Sequence, residues 1–262
     1  MIYITGDTHG DFRRFSSRAF PEQAGLDRDD FVVICGDFGG VWKPQADADE
    51  RYWLDWLDDK PFTTLFVDGN HENFARLDGD EFPRLDFHGG VAQRIRAHIY
   101  RLGRGEVFEL DGKRVFAFGG AASHDIEDGI LDPNGQDPVI FRRKCRRWRQ
   151  EGRRFRVLGE TWWPRELPDE AELERGRAAL ANVENHVDIV ISHCLPQDVI
   201  PFLRTGPYTP DRLTLYFNDL LHRGLRFDRW YCGHYHMDRT VMGRFRVLYE
   251  DIVPVAGGTQ VL

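Results

Sequence analysis

The sequence predicts an α/β protein with mixed sheets. Short, largely apolar runs occupy residues 2–4, 31–35, 62–67, 115–118, 187–191 and 230–232, the pattern of strands covered on both faces. Helical stripes lie between several of these runs, which indicates βαβ units early in the chain. Two hairpin signals further along add antiparallel pairs.

Taken in order, residues 2–4 run straight into Gly6-Asp7-Thr8-His9-Gly10, a sharp turn after a strand. Gly36-Asp37 ends the second run, and Gly69-Asn70-His71-Glu72 ends the third. Between them, Trp53, Trp56 and Leu57 share one face of a helix over about residues 46–58. Asp111-Gly112 joins 107–110 to 114–118 as a hairpin. Pro168-Asp169-Glu170 begins a helix with the stripe Leu173, Gly176, Leu180 and Val183. Ser192-His193 closes the run at 187–191. Leu213, Tyr216, Phe217, Leu220 and Leu221 then follow helical spacing closely. Gly233-His234-Tyr235-His236 ends the last run, and 239–241 pairs with 245–249 around Met242-Gly243-Arg244.

No repeat, low-complexity tract or linker divides the 262 residues, so a single domain over 1–262 is expected. The stretch from about 125 to 185 is longer than an ordinary connection and reads as a lid-like insertion. Within 142–156 nine residues are Arg or Lys against one acid, Glu151, so the insertion is strongly basic. The stripe Phe141, Cys145 and Trp148 turns one side of that basic segment inward, leaving arginines on the other face. Trp162 and Trp163 read as lid packing, and His124 and Asp125 as candidates to line a pocket after Gly119-Gly120. The overall charge of −8 argues against a non-specific hold on nucleic acid or anionic lipid. No apolar run approaches a membrane span, and the opening residues leave no stretch that reads as a secretory leader. Cys35, Cys145, Cys194 and Cys232 lack CxxC spacing, so a zinc knuckle or disulfide framework is not expected and a reducing, cytoplasmic setting is.

The chemistry lies in the blocks that end the strands. Asp7 and His9 flank one residue, and in an extended stretch such a pair points the same way and meets one cation. His234 and His236 repeat that spacing. Asp37 offers an oxygen able to bridge two cations, Asn70 a neutral carbonyl oxygen, and His193 a further nitrogen. Oxygen and nitrogen donors without thiolate suit manganese first, then iron or zinc, over calcium.

In these residues the chain resembles the calcineurin-like metallophosphoesterase superfamily. Its ordered pattern is D-x-H, G-D, G-N-H-E/D, H, G-H-x-H, and every block stands here between residues 7 and 236. The resemblance implies an α/β/β/α sandwich of two mixed sheets with two divalent metal ions at the strand ends. By position, Asp7, His9 and His236 would bind the first ion, Asp37 would bridge, and Asn70, His193 and His234 would bind the second. His71 would remain unligated as the catalytic residue facing the substrate. The implied activity is hydrolysis of phosphate esters, as a phosphatase or phosphodiesterase, by a hydroxide bridging two ions about 3.5–4 Å apart.

One departure is informative. The phosphoprotein phosphatase branch continues its second motif as G-D-x-x-D-R-G, whereas Gly40 and Val41 stand here in place of the acid and the arginine. His71 then needs another orienting partner, for which Glu72 is only a neighbour in sequence, and phosphate needs another cationic clamp, which the basic insertion can supply. A phosphorylated small molecule or nucleotide is therefore the expected substrate, ahead of a phosphoprotein or nucleic acid. A serine/threonine phosphoprotein phosphatase and a non-catalytic metal-binding scaffold are the alternatives, and the scaffold is disfavoured because no ligand position is eroded.

Overall fold

A computed structural model describes residues 1–206 and 208–255. In chain order the strands begin with β1 (Ile2–Thr5), β2 (Phe31–Ile34), β3 (Thr63–Phe66), β4 (Arg84–Phe87) and β5 (Gly90–Arg96). They continue with β6 (Ile99–Leu102), β7 (Glu106–Leu110), β8 (Lys113–Phe118), β9 (Gly129–Leu131) and β10 (Phe155–Val157). The last are β11 (Ile189–Ser192), β12 (Arg229–Cys232), β13 (Arg239–Val241), β14 (Phe245–Val247) and β15 (Ile252–Pro254). The helices are α1 (Ala48–Asp58), α2 (Phe74–Leu77), α3 (Pro138–Gln150), α4 (Glu170–Asn182) and α5 (Arg212–His222).

Two large mixed sheets result. The first has the order β15-β1-β2-β3-β6-β5-β4, with β1, β2, β3 and β6 parallel. The second runs β13-β14-β12-β11-β8-β7, parallel from β14 to β8 and antiparallel at both edges. The β7–β8 turn puts Asp111 at φ 48° and Gly112 at φ 71°, the left-handed pair that a two-residue hairpin requires.

Because side chains alternate along a strand, each sheet has two apolar faces. Ile2, Ile4, Val33 and Leu65 of the first sheet pack against Val115, Ala117, Ile189 and Ile191 of the second. Val32, Ile34 and Phe66 point outward onto Leu54 and Leu57 of α1. On the far side, Phe116, Phe118, Val190 and Trp230 are covered by Leu173 and Leu180 of α4 and by Leu213, Tyr216 and Phe217 of α5. The layer order is therefore α/β/β/α, as the resemblance implies. Each fully buried Leu, Val or Phe in these layers contributes roughly 1.5–3 kcal/mol. Asp169 starts α4 with a reciprocal capping box: it accepts from Glu172 N, and the Glu172 carboxylate accepts from Asp169 N.

The meander β4–β6 does not follow from the apolar runs, since β4 alternates exposed and half-buried residues and β5 and β6 bury Gln93 and Arg101. The stretch read as one insertion over about 125–185 contains two different things. β9, α3 and β10 form an excursion with its own small core of Leu131, Phe141, Cys145 and Val157. Helix α4 instead belongs to the sandwich, so the basic, lid-like part ends before it. All four cysteines are buried and unpaired. Among the described residues, no helix is long and apolar enough to cross a membrane.

Candidate metal centre

Strands β1, β2, β3, β11 and β12 end on the same side of the sandwich, and the loop after each carries a polar block. Asp7 follows β1, Asp37 follows β2, Asn70 and His71 follow β3, His193 follows β11, and His234 and His236 follow β12. Such carboxyl ends of parallel strands are where open α/β folds gather their functional groups.

The eight residues singled out from the sequence come together. His236 Nε2 lies 3.1 Å from Asp7 Oδ2 and 3.2 Å from His9 Nε2. His9 Nε2 is 3.8 Å from Asp7 Oδ2, and its Nδ1 is 3.8 Å from Asp37 Oδ2. His193 Nε2 sits 3.4 Å from Asp37 Oδ1 and 3.3 Å from Asn70 Oδ1. The ring of His234 packs 4.9 Å from that of His193, and its backbone N–H donates to Asp7 Oδ1 at 2.9 Å. His71 donates its backbone N–H to Asp37 Oδ1 at 2.8 Å and sets its ring 5.4 Å from that of His9. Asp7, Asp37, Asn70, His193 and His234 are buried, whereas His9, His71 and His236 face the opening. Asp7, His9 and His236 form one cluster able to hold a cation, and Asp7, Asp37 and His193 form another.

The backbone is shaped for this convergence. His9, Asp37, His234 and His236 have φ of 47°, 46°, 68° and 46°, left-handed values that cost of order 1–3 kcal/mol each. The loops hold one another in place: His9 N–H donates to Asp37 O at 2.7 Å, and Gly233 N–H to His193 O at 3.1 Å. Two glycines are needed for close approach. A Cβ on Gly69 would lie 2.0 Å from Asp37 Oδ1, and one on Gly233 would lie 2.0 Å from Asp7 Oδ1.

Electrostatics follow from burial and crowding. Burial alone would raise the Asp37 carboxyl, but the imidazoles of His193, His71 and His9 overcome it and hold Asp37 well below the carboxylate range. Burial would lower His193, yet Asp37 and Asp7 pull it up to about 9. His234 is pushed well below the ordinary histidine value by burial and then by His193. Burial also lowers His9 and His71, against the pull of Asp37 on both. Asp7 Oδ2 is buried and accepts no hydrogen bond of proper geometry, although His236 stands near it. An orphaned carboxylate oxygen is costly to bury unless a cation satisfies it.

Several supporting residues escape a reading of the letters. Asn70 Nδ2 lies 3.3 Å from Ser123 Oγ, which donates to Glu166 Oε2 at 2.6 Å, so the Asn70 carbonyl oxygen is turned inward. His193 Nδ1 lies 2.7 Å from Cys35 O, which leaves Nε2 for the centre. Tyr208 Oη is 3.1 Å from His234 Nε2. His124, by contrast, is expected from the sequence to line a pocket, and its ring lies 5.3 Å from that of His234. Buried Asp68, next to Gly69, accepts from Arg104 Nε at 2.8 Å and Arg101 Nε at 3.2 Å, and Arg104 Nη2 continues to Arg165 O at 2.8 Å. Burial would raise Asp68, but the two arginines hold it down at about 2. Glu72 does not orient His71. Its carboxylate accepts from Phe38 N at 2.7 Å and Gly39 N at 3.3 Å, fastening the loop after β2, and burial followed by Asp37 pushes it up to about 8.

A two-sheet sandwich whose converging strand ends gather carboxylates, imidazoles and a carboxamide has the architecture of a metal-dependent hydrolase. The calcineurin-like phosphoesterase family matches residues 1–238, and the chain belongs to that family. Membership makes it a metal-dependent phosphoesterase in general and implies divalent ions, for which the Asp and His groups above are suited. No curated protein matches the chain.

Proposed function

We propose that the protein hydrolyses phosphate esters with two divalent cations, held by Asp7, His9 and His236 on one side and by Asn70, His193 and His234 on the other. The observation that carries this reading is Asp37. Its Oδ2 is 3.8 Å from His9 Nδ1 and its Oδ1 is 3.4 Å from His193 Nε2, so one carboxylate faces both groups of donors. The orphaned Asp7 Oδ2 and the glycine-lined approaches fit cations in the same place. Oxygen and nitrogen donors favour manganese, with iron or zinc as alternatives. When bound, such ions supply Lewis-acid polarisation of phosphoryl oxygens and lower the pKa of water.

The chain's own residues do the rest. Asp7 and Asp37 bring buried negative charge that bound cations would offset. His71 presents its ring at the opening beside His9, where it can donate a proton or hydrogen bond to the departing oxygen. The phosphoprotein phosphatase alternative is disfavoured by Gly40 and Val41. A phosphorylated small molecule or nucleotide, met in the cytoplasm, is the substrate class this reading favours.

A substrate panel with manganese, combined with elemental analysis, tests it. Two bound ions and turnover of an aryl phosphate or nucleotide are expected. A protein holding both ions that hydrolyses no aryl phosphate, nucleotide or phosphopeptide refutes the proposal.

A further inference from the structure

The excursion formed by β9, α3 and β10 brings one arginine to the mouth of the centre. Arg156 stands on β10 between Phe155 and Val157, which both pack into the excursion's small core. Strand alternation turns Arg156 the opposite way. Its Nη2 lies 3.3 Å from His71 Nε2. Asp125 grips the guanidinium along one edge: Nε donates to Asp125 Oδ1 at 3.0 Å, and Nη2 donates to Oδ2. That pairing leaves Nη1 without a partner among the described residues, on a side chain that is 18% exposed. Neighbouring cations are placed differently. Arg153 and Arg154 pair with Glu151 and Glu127, and the arginines of α3 point into solvent.

We propose that Arg156, steadied by Asp125, binds a non-bridging phosphoryl oxygen of the ester beside His71, so that the excursion supplies the phosphate grip. This rests on the phosphoesterase reading above and deepens it. A guanidinium clamped along one edge presents the other in a fixed direction, so little side-chain freedom is lost when an anion arrives. Nη1, with both of its hydrogens free, can meet phosphate through charge-assisted hydrogen bonds. Asp125 is a positioning residue: its oxygens are spent on Arg156. A terminal phosphate carries one more ionisable oxygen than a diester, so this contact favours monoesters.

The test uses the full, manganese-loaded chain as wild type, Arg156→Ala, Arg156→Lys and Asp125→Asn. Bound metal is measured by elemental analysis, inorganic phosphate binding by calorimetry, and hydrolysis with p-nitrophenyl phosphate and its bis-ester. Metal content should match wild type throughout. In Arg156→Ala, phosphate binding should weaken by more than about 10-fold. Its kcat/KM for the monoester should fall by about 10²–10³-fold, as for a lost oxyanion donor, and by less for the diester. Arg156→Lys should recover only part of this, because an ammonium lacks the fork, and added guanidinium ion should partly rescue Arg156→Ala. Asp125→Asn should raise KM more than it lowers kcat. Unchanged phosphate affinity and an unchanged monoester-to-diester ratio in Arg156→Ala overturn the proposal. If that variant does not fold, the same result in Arg156→Lys overturns it. If wild type hydrolyses no aryl phosphate, nucleotide or phosphopeptide but Arg156→Ala still loses phosphate, the phosphoesterase reading falls while the anion grip stands.

Discussion

Replacing Gly233 by alanine places the greatest demand on the centre for the smallest chemical change. The added Cβ would lie 2.0 Å from Asp7 Oδ1 and 2.7 Å from Cys35 O. An ordinary carbon–oxygen contact is about 3.3 Å or more, so Asp7 or the loop after β12 must retreat by more than about 1 Å. Asp7 Oδ1 also accepts from His234 N at 2.9 Å, so one displacement disturbs a carboxylate and an imidazole that serve opposite sides of the proposed pair. Overpacking of this kind costs about 1–3 kcal/mol, and a misplacement near 1 Å slows turnover by about 10²-fold. Calorimetric titration with manganese and hydrolysis of bis(p-nitrophenyl) phosphate measure both effects. Gly25→Ala is the control, because nothing lies within 4 Å of its added Cβ. It should bind metal and turn over like wild type. A Gly233→Ala protein with unchanged manganese affinity and turnover would show that the tight seat of Asp7 is irrelevant to the centre.

Asp37→Asn or His234→Ala should lose metal and activity together, whereas His71→Ala should keep its metal and slow turnover by about 10²–10⁴-fold. Elemental analysis showing that His71→Ala strips the centre would overturn its role. Removal of divalent ions by a chelator should lower the melting temperature, since a ligand at about 100 times its Kd stabilises by roughly 2.7 kcal/mol; calorimetric scans that coincide with and without chelator would contradict this. Asp68 gives a pH dependence. Its folded-state value of about 2 lies below the ordinary 3.8, so its stabilisation is complete above about 3.8 and is lost as pH falls toward 2. The loss should approach roughly 2 kcal/mol in denaturant titrations, and Asp68→Asn should abolish that acid limb while destabilising at neutral pH by less than the roughly 3–5 kcal/mol of a fully broken buried pair, because Arg101 keeps Asp78 and Arg104 keeps Glu172.

The central strands were legible because they are buried on both faces, and largely apolar runs such as 31–35 and 187–191 fit strands covered twice. Their glycine-rich ends were legible for a related reason: Gly69 and Gly233 are dictated by contact with a neighbouring carboxylate. β4 and β5 were not, because partly exposed strands mix Arg84 and Asp86 with apolar residues and lose the run. Glu166 and Ser123 could not be joined by spacing, since they meet only through the fold. Arg156 stood among eight similar cations, and only the alternation of a short strand distinguishes it. Glu72 shows the opposite failure, an acid adjacent to His71 in sequence that turns toward backbone amides of another loop.

The excursion's four-residue nucleus, Leu131, Phe141, Cys145 and Val157, stands apart from the three clusters that hold the sheets together. A lineage can therefore rebuild this appendage, lengthening α3 or re-aiming its cations, without repacking the strands that seat the ion ligands. With Arg156 in its proposed role, choice of substrate and capacity for hydrolysis become separately adjustable traits of one polypeptide.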